Sequence, residues 1–332
     1  MTAPVDWVLP PALPPLPVHK GRSTMNPSNS AVKVAGAPVS FGVFELTPAD
    51  SAVALPDGAA VLSALVETGY DGVDLGPRGF LDSHGDGSDL RTRLAAAGLD
   101  LAGGWIELPL SDDRRYTAAV SELEAALDVF SAAGSGAIAP KPTLADSGDD
   151  YRRAHPGAAA GHGLNTAGWD RVARNLADAA RRVRDRGFEP TFHHHAGTFV
   201  ETPEEIDLLL DLTDIGLTLD TGHLLIGGGN PAEAWVRWGS RINHVHLKDV
   251  DRSKLRAIVG AGGGMVEVWS GGTFVPLGDG DLDVAAFLDD LVAADYVGWV
   301  VIEQDVLAVD HYDFDAIVRE HQRNRDVLRA WF

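Results

Sequence analysis

Four segments of the chain carry metal-binding side chains at nearly regular intervals. His193, Asp220 and His246 follow one another at steps of 27 and 26 residues, and Glu303 comes 57 residues later. Two imidazoles and two carboxylates form a mixed nitrogen and oxygen set, which suits Mn²⁺, Co²⁺, Fe²⁺ or Zn²⁺ better than Ca²⁺. The sequence therefore predicts that His193, Asp220, His246 and Glu303 hold one divalent ion.

Further candidates for chemistry lie beside these four residues. His195 is two residues from His193, and side chains two apart in a strand face the same way, so the pattern leaves open which of the two is the ligand. A neutral histidine is a suitable general base near pH 7. The predicted acid and base groups are His195, His223 and Lys248. The predicted substrate contacts, all near strand ends, are Trp105, Lys141, Glu201 and Asp249.

These side chains need a scaffold that brings distant strand ends together. A step of 26 or 27 residues equals about one strand, one helix and two loops. Runs rich in Val, Ile, Leu or Gly alternate with amphipathic stretches, which is typical of repeated βα units. Strands are predicted near 33–40, 70–75, 99–105, 137–141, 189–195, 215–220, 242–248 and 297–303, and helices near 58–68, 88–97, 115–133, 165–186, 203–213, 231–238, 283–293 and 313–330.

Eight alternations predict a single α/β domain, a (β/α)8 TIM barrel over residues 31–332, whose strand ends meet at one rim. The last step of 57 residues contains about 30 more than the others. The excess falls in the glycine-rich stretch 251–278, after the seventh strand. We predict that it is a rim insertion that acts as a lid. Residues 1–30 are proline-rich and are predicted to be a disordered tail.

The composition excludes several classes of binding partner and of chemistry. The chain has 27 Lys and Arg against 48 Asp and Glu, a formal charge of −21, which repels phosphate backbones and anionic membranes. It has no cysteine, so disulfides and thiol catalysis are excluded. We expect a cytoplasmic protein that binds neither nucleic acid nor membrane and acts on a small molecule. A homo-oligomer or a small partner subunit is left open.

The motifs together resemble a known superfamily. They are the segments 193–202, 219–223, 244–249, 275–280 and 303–305. Over about residues 33–325 the chain is similar to the sugar phosphate isomerase/epimerase superfamily of xylose isomerase-like barrels, and within it to the inosose dehydratases. The resemblance implies one divalent ion, Mn²⁺ or Co²⁺ in preference to Zn²⁺, Fe²⁺ or Mg²⁺. It matches Asp220, His246 and Glu303 to ligand positions and His223 to a substrate-contacting histidine.

One position departs from the pattern of many members. Many epimerases of this superfamily have a glutamate where this chain has His193, and that glutamate serves as ligand and as one of two acid/base carboxylates. The resemblance therefore favours a lyase that removes water from a keto-polyol such as 2-keto-myo-inositol. The alternatives are a keto-sugar isomerase or 3-epimerase, the catalytic subunit of a C-glycoside deglycosidase, and a sugar-binding barrel without catalysis.

Overall fold

A computed structural model describes residues 31–44, 53–157, 161–308 and 312–332. The predicted tail, residues 1–30, lies outside these ranges. Within them, eight parallel strands close into a barrel, which confirms the predicted fold class. The barrel strands are β1 (Val32–Gly36), β2 (Gly72–Asp74), β3 (Asp100–Leu108), β4 (Lys141–Asp146), β5 (Thr191–His193), β6 (Gly216–Asp220), β7 (Ile242–Leu247) and β10 (Gly298–Ile302), and a small antiparallel pair is formed by β8 (Asp249–Val250) and β9 (Phe274–Val275).

Helices follow the strands and cover the outside of the barrel. They are α1 (Gly58–Thr68), α2 (Leu90–Ala97), α3 (Asp113–Ala133), α4 (Asp150–Ala154), α5 (Thr166–Asp185), α6 (Pro203–Leu212), α7 (Thr221–Ile226), α8 (Pro231–Trp238), α9 (Arg252–Gly260), α10 (Met265–Ser270), α11 (Val284–Ala293) and α12 (Phe314–Leu328). Over the described ranges, none of these helices is long and apolar enough to cross a membrane.

Local sequence signals explain where the helices begin and end. Thr202 and Glu205 form a reciprocal capping box ahead of α6, with Pro203 at the first helical position. Gly69 and Gly98 end α1 and α2 in the left-handed conformation, which a glycine adopts without steric cost. The capping box starts α6 directly after the rim loop that follows β5, whereas the two glycines end their helices and lead the chain into the next strand.

The interior of the barrel is filled from the amino end of the strands. Trp299 of β10 packs there with Ala35, Ala102 and Val301. Gly72 makes room for the indole, since a Cβ on Gly72 would lie 2.7 Å from the Trp299 ring. The opposite, carboxyl end of the barrel carries a cluster of buried His, Asp and Glu side chains.

The predicted insertion lies on this carboxyl rim. It leaves the rim at β8, forms α9 and α10, and returns through β9, which pairs with β8. Phe274 of β9 lies 5.6 Å from the His223 ring, and Met265 and Trp269 of α10 line the central cavity. The insertion therefore forms part of the roof over the site.

The fourth strand departs most from its predicted position. The fourth strand is predicted at 137–141, ahead of Pro142. In the structure β4 begins at Lys141 and runs to Asp146, with Pro142 as its second residue. This shift moves Lys141 from the end of a strand to its start.

Candidate active site

A buried cluster of four side chains lies at the carboxyl end of the barrel. β5, β6 and β7 supply His193, Asp220 and His246, and Glu303 directly follows β10. One nitrogen or oxygen of each lies within 4.8 Å of those of the others. The uneven step of 57 residues has no effect on this convergence, because the extra chain stays in the rim insertion.

The cluster contains more lone pairs than protons. His193 Nδ1 lies 2.6 Å from the carbonyl oxygen of His194 and so donates to it, which leaves the lone pair on Nε2. That Nε2 lies 3.2 Å from Oδ2 of Asp220, another acceptor. On the other side, His246 Nδ1 lies 2.9 Å from Glu303 Oε2. His193 Nε2 and Asp220 Oδ2 are thus two acceptors that face each other in a buried site, and a cation between them would satisfy both.

The ammonium group of Lys248 supplies only part of the charge required. It lies 3.2 Å from Asp220, 2.9 Å from Glu303 and 2.9 Å from Asp305. Three buried carboxylates and one ammonium leave a net charge of about −2 if all are ionised. Lys248 Nζ is an ion-pair partner of Asp220 Oδ2, but this oxygen accepts no well-aligned hydrogen bond from any described residue. A divalent ion would balance this charge, so the donor set fits the ion that the sequence predicts.

Burial and neighbouring charges determine which of these carboxylates and which of the basic groups are ionised at pH 7. Burial opposes ionisation of Asp220, but Lys248 and His223 outweigh it and hold the pKa of Asp220 well below its usual range. The pKa of Lys248 is raised well above its usual range, because Asp220, Asp305 and Glu303 outweigh the burial. Burial raises the pKa of Asp305 to about 6. At pH 7 the three carboxylates carry negative charge and Lys248 carries a proton.

Two further histidines lie beside the cluster. The His195 and His223 rings are 3.6 Å apart, and His223 Nε2 lies 3.1 Å from Lys248 Nζ and 3.5 Å from Asp305. Burial, the neighbouring histidines and Lys248 lower the pKa of both imidazoles well below the usual value. His195 lines the cavity, whereas His223 is fully buried behind it. The structure thus places His193 in the four-residue cluster and His195 beside it.

The cavity above the cluster has a volume of about 470 Å³. Trp105 forms one wall, with its ring centroid 5.2 Å from that of His193 and 5.1 Å from that of His195. This agrees with the predicted position of Trp105. Ligand cavities commonly measure about 300–1,000 Å³, so this one can enclose a substituted six-membered ring.

Three of the predicted substrate contacts lie outside the cavity above the cluster. Lys141, at the start of β4, lines a second cavity at the amino end of the barrel, because the strand begins where it was expected to end. Glu201 accepts hydrogen bonds from the backbone of Gly157 and Gly197 and pairs with the buried Arg152 at 3.4 Å. Its carboxylate therefore ties two loops together and does not line the cavity.

Asp249 has a similar structural position. Its carboxylate accepts hydrogen bonds from the backbone of Val250, Gly278, Gly280 and Leu282, so it holds the returning end of the rim insertion. The structure corrects the expectation that Lys141, Glu201 and Asp249 lie within reach of a substrate in the cavity.

Two carboxylates that line the cavity are not among the predicted site residues. Asp305 contacts Lys248, and its spacing of two from Glu303 could have shown that both face the same way. Asp74 ends β2 and lies 3.9 Å from His246 Nε2. Burial raises the pKa of Asp74 to about 7. Its position at a strand end is the same signal that identified the four clustered residues.

Comparison with known proteins places this geometry in a family. The family model described as "Xylose isomerase-like TIM barrel" matches residues 62–326. The chain belongs to this family. Its barrel is therefore that of a xylose isomerase-like protein, as the resemblance of the motifs implied.

Individual relatives narrow the comparison. The rhizopine catabolism protein MocC of Rhizobium meliloti is 32% identical over 249 residues, covering 74% of this chain and 73% of its own. The inosose dehydratase of Geobacillus kaustophilus is 32% identical over 266 residues, covering 79% and 85%. The crystal structure of the IOLI protein with a bound zinc atom aligns with a TM-score of 0.66 at 13% identity, covering 90% and 99%. At 13% identity, the similarity to the IOLI structure shows a shared fold and no more.

Proposed function

We propose that this chain is a divalent-metal-dependent dehydratase that removes water from a keto-polyol such as 2-keto-myo-inositol. The observation that carries the proposal is the cluster of His193, Asp220, His246 and Glu303 on the floor of the cavity, beside the neutral His195 and the protonated Lys248. The relatives named inosose dehydratase support the choice of substrate.

His193, Asp220, His246 and Glu303 would hold the ion. A bound divalent ion would polarise the ketone of the substrate and lower the cost of removing a proton from the adjacent carbon. Mn²⁺ or Co²⁺ is our first choice from the resemblance, and Zn²⁺ is the alternative, since the IOLI structure contains a zinc atom.

His195 is the group that we assign to proton removal. Its Nδ1 donates to the carbonyl oxygen of Ala196 at 2.7 Å, so Nε2 keeps its lone pair. Its lowered pKa keeps the ring neutral at pH 7. When Nε2 takes the proton from the carbon next to the ketone, the electron pair of that C–H bond becomes available to form a carbon–carbon double bond.

Lys248 is the group that we assign to the departing hydroxyl. Its raised pKa keeps a proton on Nζ at pH 7, and it lines the cavity close to the cluster. As the C–O bond breaks, its electron pair leaves with the oxygen, and the proton of Lys248 completes a water molecule. His223 helps to hold the side chains of His195 and Lys248 in place, since it packs on the His195 ring and contacts Lys248 Nζ.

A direct assay tests the proposal. The purified chain is stripped of metal with a chelator, reloaded with Mn²⁺, Co²⁺ or Zn²⁺, and mixed with 2-keto-myo-inositol. We expect a metal-dependent rise in the ultraviolet absorbance of a conjugated dione. His195→Gln should lower the turnover rate by about 100-fold or more, whereas the exposed His155→Gln serves as a matched control and should leave it unchanged.

Other outcomes identify the alternatives. Isomerisation of a keto-sugar without loss of water would show an isomerase or epimerase. Release of an aglycone from a C-glycoside would show the deglycosidase activity. Binding in a calorimetric titration with no conversion by any metal-loaded form would show a sugar-binding barrel and would overturn the proposal.

A further inference from the structure

The two nitrogens of His246 face different carboxylates. Nδ1 faces the cluster, 2.9 Å from Glu303 and 3.8 Å from Asp220. Nε2 faces away from it, 3.9 Å from Oδ2 of Asp74. Both His246 and Asp74 are more than nine-tenths buried. The ring of His246 is therefore placed between the predicted metal site and a carboxylate that the site does not use.

Neither of the facing atoms has another partner. Nε2 of His246 and Oδ2 of Asp74 are both buried, and neither makes a hydrogen bond within the part of the chain that the structure describes. A buried polar atom without a hydrogen-bond partner destabilises the folded protein. Nε2 of His246 can donate a hydrogen bond, and Oδ2 of Asp74 can accept it.

Metal binding decides where the proton of His246 must lie. An imidazole that binds an ion through Nδ1 is neutral and keeps its single proton on Nε2. That N–H then points toward Asp74 across 3.9 Å, and a rotation that shortens the gap by about 1 Å makes a hydrogen bond. Metal-bound histidines commonly donate their second N–H to a carboxylate, which fixes the ring and makes it a better ligand.

We propose that Asp74 is a positioning residue, which accepts the Nε2 proton of His246 and thereby orients this ring for binding the divalent ion. The inference rests on the proposed role of His246 as a ligand. Gly103 of β3 leaves space beside the pair, since a Cβ there would come within 3.0 Å of Asp74 Oδ2 and 3.1 Å of His244 Nε2.

A second ion is the rival explanation of the same residues. Asp74, His244 and His246 also have nitrogen or oxygen atoms within 4.8 Å of one another. An ion there would take Nε2 of His246 while the first ion takes Nδ1, so the ring would have to lose both of its protons. A hydrogen bond needs no such change in His246. The stoichiometry of bound metal separates the two explanations.

The test measures metal affinity directly. Zn²⁺ is titrated into metal-free wild-type protein and into Asp74→Ala, Asp74→Asn and Asp146→Asn, with a chromophoric chelator as competitor. We expect one equivalent bound by the wild type and a dissociation constant about 10 to 100 times higher in Asp74→Ala. Asp74→Asn should regain part of the affinity, because its amide oxygen can still accept the proton. Asp146 is equally buried but lies outside the cluster, so Asp146→Asn should bind as the wild type does.

A second readout follows the hydrogen bond itself. In the Zn²⁺ form, proton NMR should show a slowly exchanging imidazole N–H from His246, which is lost in Asp74→Ala and kept in Asp146→Asn. Equal Zn²⁺ affinity in the wild type and Asp74→Ala would overturn the inference. Loss of the signal in His244→Leu but not in Asp74→Ala would overturn it too, as would two bound equivalents that fall to one in Asp74→Ala. A wild type that binds no metal would instead refute the proposed function.

Discussion

Two groups of buried carboxylates lie at the same rim and have different roles. Asp220, Glu303 and Asp305 face imidazoles and the Lys248 ammonium group, and we call them the cluster carboxylates. Asp146, Glu201 and Asp249 accept hydrogen bonds from backbone amides of rim loops, and we call them the loop carboxylates. All six lie at or just after the ends of strands or in rim loops, and all six are buried.

The pKa shifts of the two groups show that burial alone does not determine the role of a carboxylate. Burial raises the pKa of each loop carboxylate, and in each case the opposing hydrogen bonds from backbone amides are too weak to reverse it. For Asp220 and Glu303, positive charge and imidazoles outweigh the burial and lower the pKa, whereas burial still raises the pKa of Asp305 to about 6. The cluster is thus the place where full charges converge, whereas the loop carboxylates hold the walls around it.

The largest expected effect comes from a cluster carboxylate. Glu303→Gln removes one predicted ligand and a charge partner of Lys248, so the metal-dependent turnover should fall by more than about 100-fold, beyond the loss typical of a residue outside the first coordination shell. The dione assay measures this, and a titration with Zn²⁺ should show weaker binding. A Glu303→Gln variant with wild-type turnover would remove the distinction between the two groups.

The next effect concerns stability. Glu201→Gln removes one of the two carboxylates that form ion pairs with Arg152 among the described residues, and Glu205 remains. Breaking a buried ion pair costs about 3–5 kcal/mol, and the partner that remains places this variant near the lower end. Urea unfolding should show this loss, while the folded fraction keeps wild-type affinity for Zn²⁺. Weakened Zn²⁺ binding at full stability would place Glu201 with the cluster instead.

A pH experiment tests the loop group through Asp146. Burial raises the pKa of Asp146 to about 6, above the value of about 3.9 in an unfolded chain. Between these values the folded state binds more protons, so this group stabilises the fold at low pH and its contribution is lost as the pH rises through 6. The two-unit difference corresponds to about 3 kcal/mol.

Unfolding of the wild type and Asp146→Asn at several pH values between 4 and 7 checks this. The stability of the wild type should decrease relative to that of the variant as the pH rises. A parallel pH dependence of the two proteins would show that Asp146 keeps an ordinary pKa.

The smallest effect is expected at Asp249. Asp249→Asn keeps one acceptor oxygen but loses the charge that four backbone amides share, at a cost of about 2 kcal/mol. Hydrogen exchange should speed up at residues 274–282, where the rim insertion returns. Faster exchange confined to the opposite end of the barrel would contradict this role.

Much of the site was readable from the sequence, because it depends on strand ends. The steps between His193, Asp220 and His246 predicted both the repeat of the barrel and the convergence of the residues, and the structure brings them together with Glu303. Side chains at the carboxyl ends of parallel strands meet regardless of the length of the connections between them. The barrel itself was predictable for the same reason.

The failures have a different physical origin. Lys141 was misplaced because the fourth strand was predicted to end at residue 141, where it in fact begins, and an error of a few residues moves a side chain from one end of the barrel to the other. For Glu201 and Asp249 the distance along the chain was right, but backbone amides of neighbouring loops hold their carboxylates. No pattern in the sequence shows where those amides point.

The sequence by itself determined the repeat of strand and helix, the residue types at the strand ends and the excess negative charge. Those follow from local periodicity and composition. Only the tertiary structure decided which of two neighbouring histidines joins the cluster, which carboxylates face the cavity, and that Asp74 lies behind His246. Each of those depends on contacts between strands far apart in the chain, and such contacts exist only once the barrel has closed.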